Sequence, residues 1–250
     1  MNTKKLPVKL GKEPLIDVVC GVNFQADAPA DELLPGLISQ KLFGRKLKFE
    51  SMGIAQLPQA IRDQDPSLKN APLISIKVDE QFVILIGTKW LGVGCIMPYS
   101  GWAKFKEMIC TVFSVLQDGD FLKGVERYSL KYVDFIQKNE DAALACFDLI
   151  IDVAGRKILD QNTQLRVELV EHPFIHAVSL ISDAMVNRPD QSAMRGSVIE
   201  VDTHRVENFS VTDFFDNLTE FLDSMHDANK RLFFDLLNEN GLNTLEPKYG

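Results

Sequence analysis

Long apolar runs are missing from this chain. None approaches the about 18 residues that a membrane-crossing helix needs, so no transmembrane span is expected. Paired-cysteine spacing is missing too. Cys20, Cys95, Cys110 and Cys146 never form a CxxC, which argues against a zinc knuckle and a thioredoxin-type pair. Each sits among apolar neighbours, as in Val93-Gly94-Cys95-Ile96, and reads as a buried free thiol in a reducing compartment. A basic excess is absent: 27 Lys+Arg stand against 35 Asp+Glu, a formal net charge of −8. Non-specific nucleic-acid binding runs on Lys and Arg contacts that release counterions, so nucleic acid is not expected as a direct non-specific partner. The densest basic group, Lys41, Arg45, Lys46 and Lys48, reads as a solvated helix end and turn. There is no GxSxG elbow, no full GxGxxG and no GxxxxGK[ST] loop. Leu91-Gly92-Val93-Gly94 runs into another strand-like segment, so its glycines read as strand bends or close backbone approaches. The start, Met1-Asn2-Thr3-Lys4-Lys5-Leu6-Pro7, has charge but no following apolar stretch. A secretory signal is therefore not expected, and the expected location is the cytoplasm.

What is present is a globular composition. Hydrophobic residues are 46% and charged residues 25% of 250, enough for a core without disulfide or metal staples. Leu15 to Phe24 is rich in branched apolar residues and reads as a largely buried strand. Asp31 is placed as an N-cap, followed by a helix over 31–43 striped by Leu33, Leu34, Leu37, Ile38 and Leu42, with Pro35 in its first turn. Residues 51–72, with Pro58, Pro66 and Pro72, read as mostly loop. From 73 to 97 the period becomes two, which predicts an antiparallel meander. A helix over 101–117 follows, striped by Phe105, Met108, Ile109, Val112, Val115 and Leu116 and stopped by Asp118-Gly119. Arg127 to Ile136 alternates, with Tyr128, Leu130, Tyr132, Asp134 and Ile136 on one side.

The second half has the same order of elements. Strands are expected at 149–153, 165–170, 175–181 and 197–202, with a polar loop at 187–196. Ser210-Val211-Thr212-Asp213 looks like a capping box opening a helix over 210–240, with Gly241 as its stop. The fold class is therefore α+β, a mostly antiparallel sheet packed by amphipathic helices. Two structurally similar halves, 1–140 and 141–250, are the expected organisation, with one compact domain as the alternative. Any seam falls near 137–146.

Several segments resemble a sporadically distributed bacterial family with no established activity. They are Pro14-Leu15-Ile16-Asp17-Val18-Val19, Pro98-Tyr99-Ser100-Gly101-Trp102, Tyr128-Ser129-Leu130-Lys131-Tyr132-Val133-Asp134 and the helix through Ala228-Asn229-Lys230-Arg231-Leu232-Phe233-Phe234. Members of that family usually carry Asn where this chain has Asp134. The resemblance implies no known chemistry. Its patchy distribution implies mobile gene sets, such as those for phage defence or toxin–antitoxin pairs, an association and not a mechanism.

The candidate binding residues are aromatic. Trp90, Tyr99 and Trp102 lie close in sequence between the meander and its helix, and such residues bury large area while keeping a polar handle. Trp102 also reads as the first core anchor of that helix. Arg127, Tyr132 and Asp134 could line a pocket, with Arg127 off-parity and facing the other side. His172 and His176 form an HxxxH spacing beside Glu171, which on a helix would suit a metal. Pro173 and the β-branched neighbours favour strands instead, where positions four apart lie about 13 Å apart, so metal binding is not expected. Asp148, Asp152, Glu168, Glu200 and Asp202 could serve a two-metal nuclease, but their alternation fits solvated strand faces. No catalytic residue and no cofactor are assigned. The leading reading is a non-enzymatic protein that binds a protein partner, one of basic character given the acidity. Strand addition at an exposed edge is one route, and self-association stays open. The alternative is an enzyme or sensor that binds a nucleotide, a phosphorylated ligand or nucleic acid.

Overall fold

Period-two segments became strands and striped segments became helices in the computed structural model, which describes residues 5–45, 47–65, 68, 70–117, 121–137, 144–158, 162–186 and 193–250. The strands are β1 (Lys9–Leu10), β2 (Leu15–Ala26), β3 (Phe49–Ser51), β4 (Ile74–Lys77), β5 (Phe82–Gly87), β6 (Trp90–Cys95), β7 (Leu122–Gln137), β8 (Asp152–Val153), β9 (Arg156–Lys157), β10 (Gln164–Glu171), β11 (Phe174–Val186), β12 (Met194–Phe209) and β13 (Pro247–Lys248). The helices are α1 (Ala30–Leu37), α2 (Gln59–Gln64), α3 (Trp102–Gln117), α4 (Val211–Asp216), α5 (Leu218–Leu236) and α6 (Glu239–Thr244). The fold is α+β with an antiparallel sheet.

The chain packs as two compact units, neither continuous in sequence. The first holds Met1–Ile16, Lys131–Thr203 and His226–Gly250; the second holds Asp17–Leu130 and His204–Met225. The boundaries fall inside β2, β7, β12 and α5, so the units do not coincide with sequential halves at 1–140 and 141–250. Lys46, the helix stop at Asp118-Gly119, most of the seam at 137–146 and most of the loop at 187–196 lie outside the described residues.

In the second unit β2, β6, β5, β4 and β3 pair antiparallel in that order. Val18, Cys20, Val22 and Phe24 of β2 are fully buried, as are Ile84, Ile86, Leu91 and Val93 of the meander. Helix α3 adds Phe105, Ile109, Val112 and Phe113, also without exposure. Helix α1 starts at Ala30 behind Pro29, so Asp31 is not the cap; it lies with Glu32 in the first turn, where acidic groups favour the helix dipole. Pro35 falls beyond the first turn and removes a backbone donor there. The chain then widens into a π-type turn at Ile38–Leu42. Residues 51–72 are less irregular than expected: a 3₁₀ turn at Gly53–Gln56 and the short α2 interrupt the loop.

In the first unit the strand order is β10, β11, β12, β7. Its core joins Ile136, Val178, Leu180, Ile199 and Val201 of the strands to Leu232, Phe233 and Phe234 of α5. The expected strand at 149–153 is reduced to β8, paired with β9. Asp152 accepts from the Gly155 amide at 2.8 Å and tightens that turn, while Leu149 and Ile151 turn onto the core and Ile150 is 93% exposed.

The expected helix over 210–240 is three helices. Ser210 caps α4, accepting from the Asp213 amide at 3.0 Å, as the box predicts. Asn217 ends α4 because its side-chain amide donates to the Asp213 carbonyl at 2.8 Å. Asn238 opens α6 by accepting from the Gly241 amide at 3.0 Å. Gly241 is therefore inside a helix and is not a stop. A β-carbon there would lie 2.1 Å from the Cys146 carbonyl oxygen, so only glycine lets the two backbones meet.

Candidate functional site

The three aromatic candidates of the second unit have different immediate neighbours. Trp90 stands on β6 opposite Asn23 and lays its indole over Gly21 and Gly92. A β-carbon on Gly92 would sit 2.2 Å from that ring, so this glycine makes room for a side chain and not for the close backbone approach expected. Tyr99 and Trp102 both meet Phe105 edge-on, with centroids 6.1 and 6.3 Å away. Trp102 does anchor α3, but through a polar bond. Its indole Nε1 donates to Asp223 Oδ1 at 2.9 Å, and Lys106 Nζ reaches Asp223 Oδ2 at 2.8 Å. This ties α3 to α5. Trp102→Phe keeps the ring and removes the donor; Asp223 is 45% exposed, so a loss of only about 1 kcal/mol is expected in a urea titration.

Arg127 faces its own strand neighbour, donating from Nη1 to Ser129 Oγ at 3.0 Å. It sits on the odd positions of β7, whereas Tyr132 and Asp134 occupy the buried even ones, as alternation predicts. In the first unit, Tyr132 Oη and His226 Nδ1 share a hydrogen bond at 3.2 Å. Asp134 is 5% exposed, and burial pushes its carboxyl up to about 8, with the Glu13 carboxylate adding a smaller push.

The HxxxH residues divide. His172 is exposed in the turn between β10 and β11, while His176 is fully buried in β11. His176 Nδ1 lies 2.8 Å from Thr203 Oγ1, and its Nε2 lies 3.9 Å from Glu171 Oε2. Among the described residues, no group of three or more His, Cys, Asp or Glu could hold a metal ion. The acidic strand positions are dispersed: Glu168 pairs with Arg166 at 3.4 Å and Glu200 with Lys131 at 3.7 Å. Cys20 and Cys95 are buried, but Cys110 and Cys146 are only partly so. Burial raises both of the latter, Cys146 to about 11, so neither thiol is activated as a nucleophile.

Arg45 of the basic cluster lines an open groove of about 460 Å³ with Gly36, Ser39, Gln40, Gly44 and Phe49. Arg45 Nη2 donates to the Val78 carbonyl at 2.9 Å, and Lys48 pairs with Glu50 at 2.8 Å.

Two arrangements escaped the sequence reading. Thr203 Oγ1 receives a bond from the Asn229 amide at 2.9 Å, and that amide also donates to the Val201 carbonyl at 2.9 Å. Asn229 falls on the apolar stripe of α5 between Met225 and Leu232, and a polar residue on such a stripe is the signal that could have found it. In the second unit, Tyr128, Phe209, Phe214 and Phe221 cluster, with the Arg205 guanidinium 5.1 Å from the Phe209 centroid. No helix of the described residues is long and apolar enough to cross a membrane. The sequence matches no protein-family model and no curated protein.

Proposed function

We propose that this protein works by capturing a basic protein partner and not by turning over a substrate. One observation carries the reading. From Val206 to Asn229 the chain has no Lys or Arg and carries Glu207, Asp213, Asp216, Glu220, Asp223 and Asp227. Within the second unit, Asp213, Asp216 and Glu220 are exposed on α4 and the start of α5. Asp213 also serves the Ser210 cap, and Asp223 is taken by Lys106, so Asp216 and Glu220 are the carboxylates with no such structural duty here. With a net charge of −8 behind them, these groups draw a positively charged surface and speed encounter. The candidate aromatic and ionic side chains support the reading from the other side, since Trp102, Arg127 and Tyr132 are engaged in internal bonds. The family resemblance makes a toxin or defence effector from the same gene set the partner class to try first.

The test uses purified full-length protein and the purified products of adjacent genes. Affinity should fall as salt rises from about 50 to 300 mM, because exposed charges are screened within a Debye length of about 8 Å near physiological salt. Asp213→Asn/Asp216→Asn/Glu220→Gln should weaken binding by about tenfold or more, mostly through association rate. Asn at 213 preserves the cap. Binding indifferent to both salt and this variant would overturn the acidic-face reading. Turnover of a nucleotide or phosphorylated ligand, lost on Arg45→Gln, would support the enzyme or sensor instead.

A further inference from the structure

β10 is the outermost strand of its unit. It pairs with β11 without interruption, from Gln164↔Ile181 to Glu171↔Phe174, and among the described residues no strand pairs with its other side. Sheet edges that must stay single are blunted by charged side chains, Lys above all, by Pro or by a bulge. Gln164-Leu165-Arg166-Val167-Glu168-Leu169-Val170-Glu171 has neither Lys nor Pro, and its register with β11 has no bulge. Leu169 is 37% and Val170 75% exposed along it.

We infer that this edge pairs with a second copy of itself, antiparallel, about a two-fold axis through Val167. The backbone directions fix which residues can take part. The Ser182 amide donates to the Thr163 carbonyl at 3.0 Å, so the odd positions of this segment bond toward β11. By alternation, the N–H and C=O groups of Gln164, Arg166, Glu168 and Val170 point outward.

An antiparallel two-fold pairing brings residues of equal parity opposite each other, with their side chains on the same face. About Val167, Arg166 meets Glu168 of the second copy and Gln164 meets its Val170, each pair occurring twice by symmetry. These are the outward-pointing backbone groups, so each pair exchanges both of its hydrogen bonds. On the other face Leu165 meets Leu169 of the second copy. The neighbouring registers are worse. An axis through Glu168 sets that carboxylate against itself, and one through Arg166 does the same for the guanidinium; like charges directly opposite are destabilising. Within one chain, Arg166 and Glu168 already lie 3.4 Å apart, with side chains 61% and 60% exposed. The paired strands turn that loose contact into a square of alternating charge. At the centre of the edge Arg166 and Glu168 thus balance each other in an acidic chain, which suits a copy of itself better than a basic partner.

A ladder this short lies at the low end of interface area, so the dimer forms weakly, at about micromolar to tens of micromolar concentrations. Sedimentation velocity on the full chain over about 5–200 µM should show a monomer–dimer equilibrium. Arg166→Glu alone and Glu168→Arg alone should each weaken it by about tenfold or more. The double exchange, R166E/E168R, should restore it, because each new charge again meets its opposite. Both sites are exposed, and unchanged circular dichroism melts establish that the variants fold. A monomer at every concentration overturns the proposal. So does a dimer indifferent to the single changes or not restored by the double one, including one in which the edge is taken by a different protein. These variants leave α4 and α5 untouched, so their failure does not bear on the acidic-face reading.

Discussion

Replacing Asp134 with Asn should make this protein more stable at pH 9 and remove a decline in stability that the native chain shows on the way there. The cause is a carboxyl held at 5% exposure on the inner face of β7, with its folded pKa raised to about 8 from the ordinary value of 3.8, chiefly by burial. The sign follows from proton counts. Below about pH 4, Asp134 is protonated whether the chain is folded or not, and contributes no pH dependence. Between the two values the unfolded chain releases the proton while the folded one keeps it. Stability therefore falls as pH rises through this window, and above about 8 the folded state carries the full cost of a buried carboxylate. At about 1.4 kcal/mol per pH unit over the window from 3.8 to about 8, the native chain loses about 6 kcal/mol from this group, about 4 kcal/mol of it between pH 5 and pH 8. Asn has the same shape and cannot ionise. In urea titrations the stability of D134N relative to the native protein should rise by about 4 kcal/mol between pH 5 and pH 9. Parallel curves for the two proteins would mean that the folded chain ionises Asp134 without penalty.

Much of the fold was legible because it rests on patterns that side-chain chemistry enforces locally. The meander, α3 and the alternation of β7 need only a period of two or of 3.6 to declare which face is buried. Ser210 declared its helix start because capping is a contact within four residues. What failed to show was set by distant parts of the chain. Gly241 reads as a stop until the Cys146 carbonyl is placed against it. The long helix reads as continuous until Asn217 turns back onto Asp213. The unit boundaries inside β2, β7, β12 and α5 have no sequence mark, because these elements do not break where the packing changes. Of the candidate site, the individual environments were more legible than the grouping. Parity placed Asp134 inside and Arg127 on the other side, but nothing in the sequence marked Trp90 as lying over Gly21 and Gly92, or Tyr99 and Trp102 as meeting Phe105.

The largest penalty from a single removed hydrogen-bonding group is expected at Thr203. His176 and Thr203 are fully buried and Asn229 is 2% exposed, so a hydrogen bond lost among them is not readily replaced by solvent. Asn229 donates to Thr203 Oγ1 at 2.9 Å. The Glu171 carboxylate 3.9 Å beyond His176 Nε2 favours the ring proton on that nitrogen, which leaves Nδ1 to accept from the Thr203 hydroxyl at 2.8 Å. One hydroxyl thus holds β11, β12 and α5 in register. Thr203→Val keeps the volume and strips the hydroxyl, leaving His176 without this bond while Asn229 retains its bond to the Val201 carbonyl. The expected loss is about 2–3 kcal/mol in urea titration, since a buried group deprived of its partner costs more than the bond it made. Thr203→Ser keeps the hydroxyl and should cost only about 1 kcal/mol for the lost methyl. A cycle with His176→Phe separates the two contributions. If Thr203 acts through the ring, its removal costs less once the ring is gone, and the coupling is about 1 kcal/mol or more. Additive losses, or a Val variant as stable as the native chain, would show that packing alone holds these elements together.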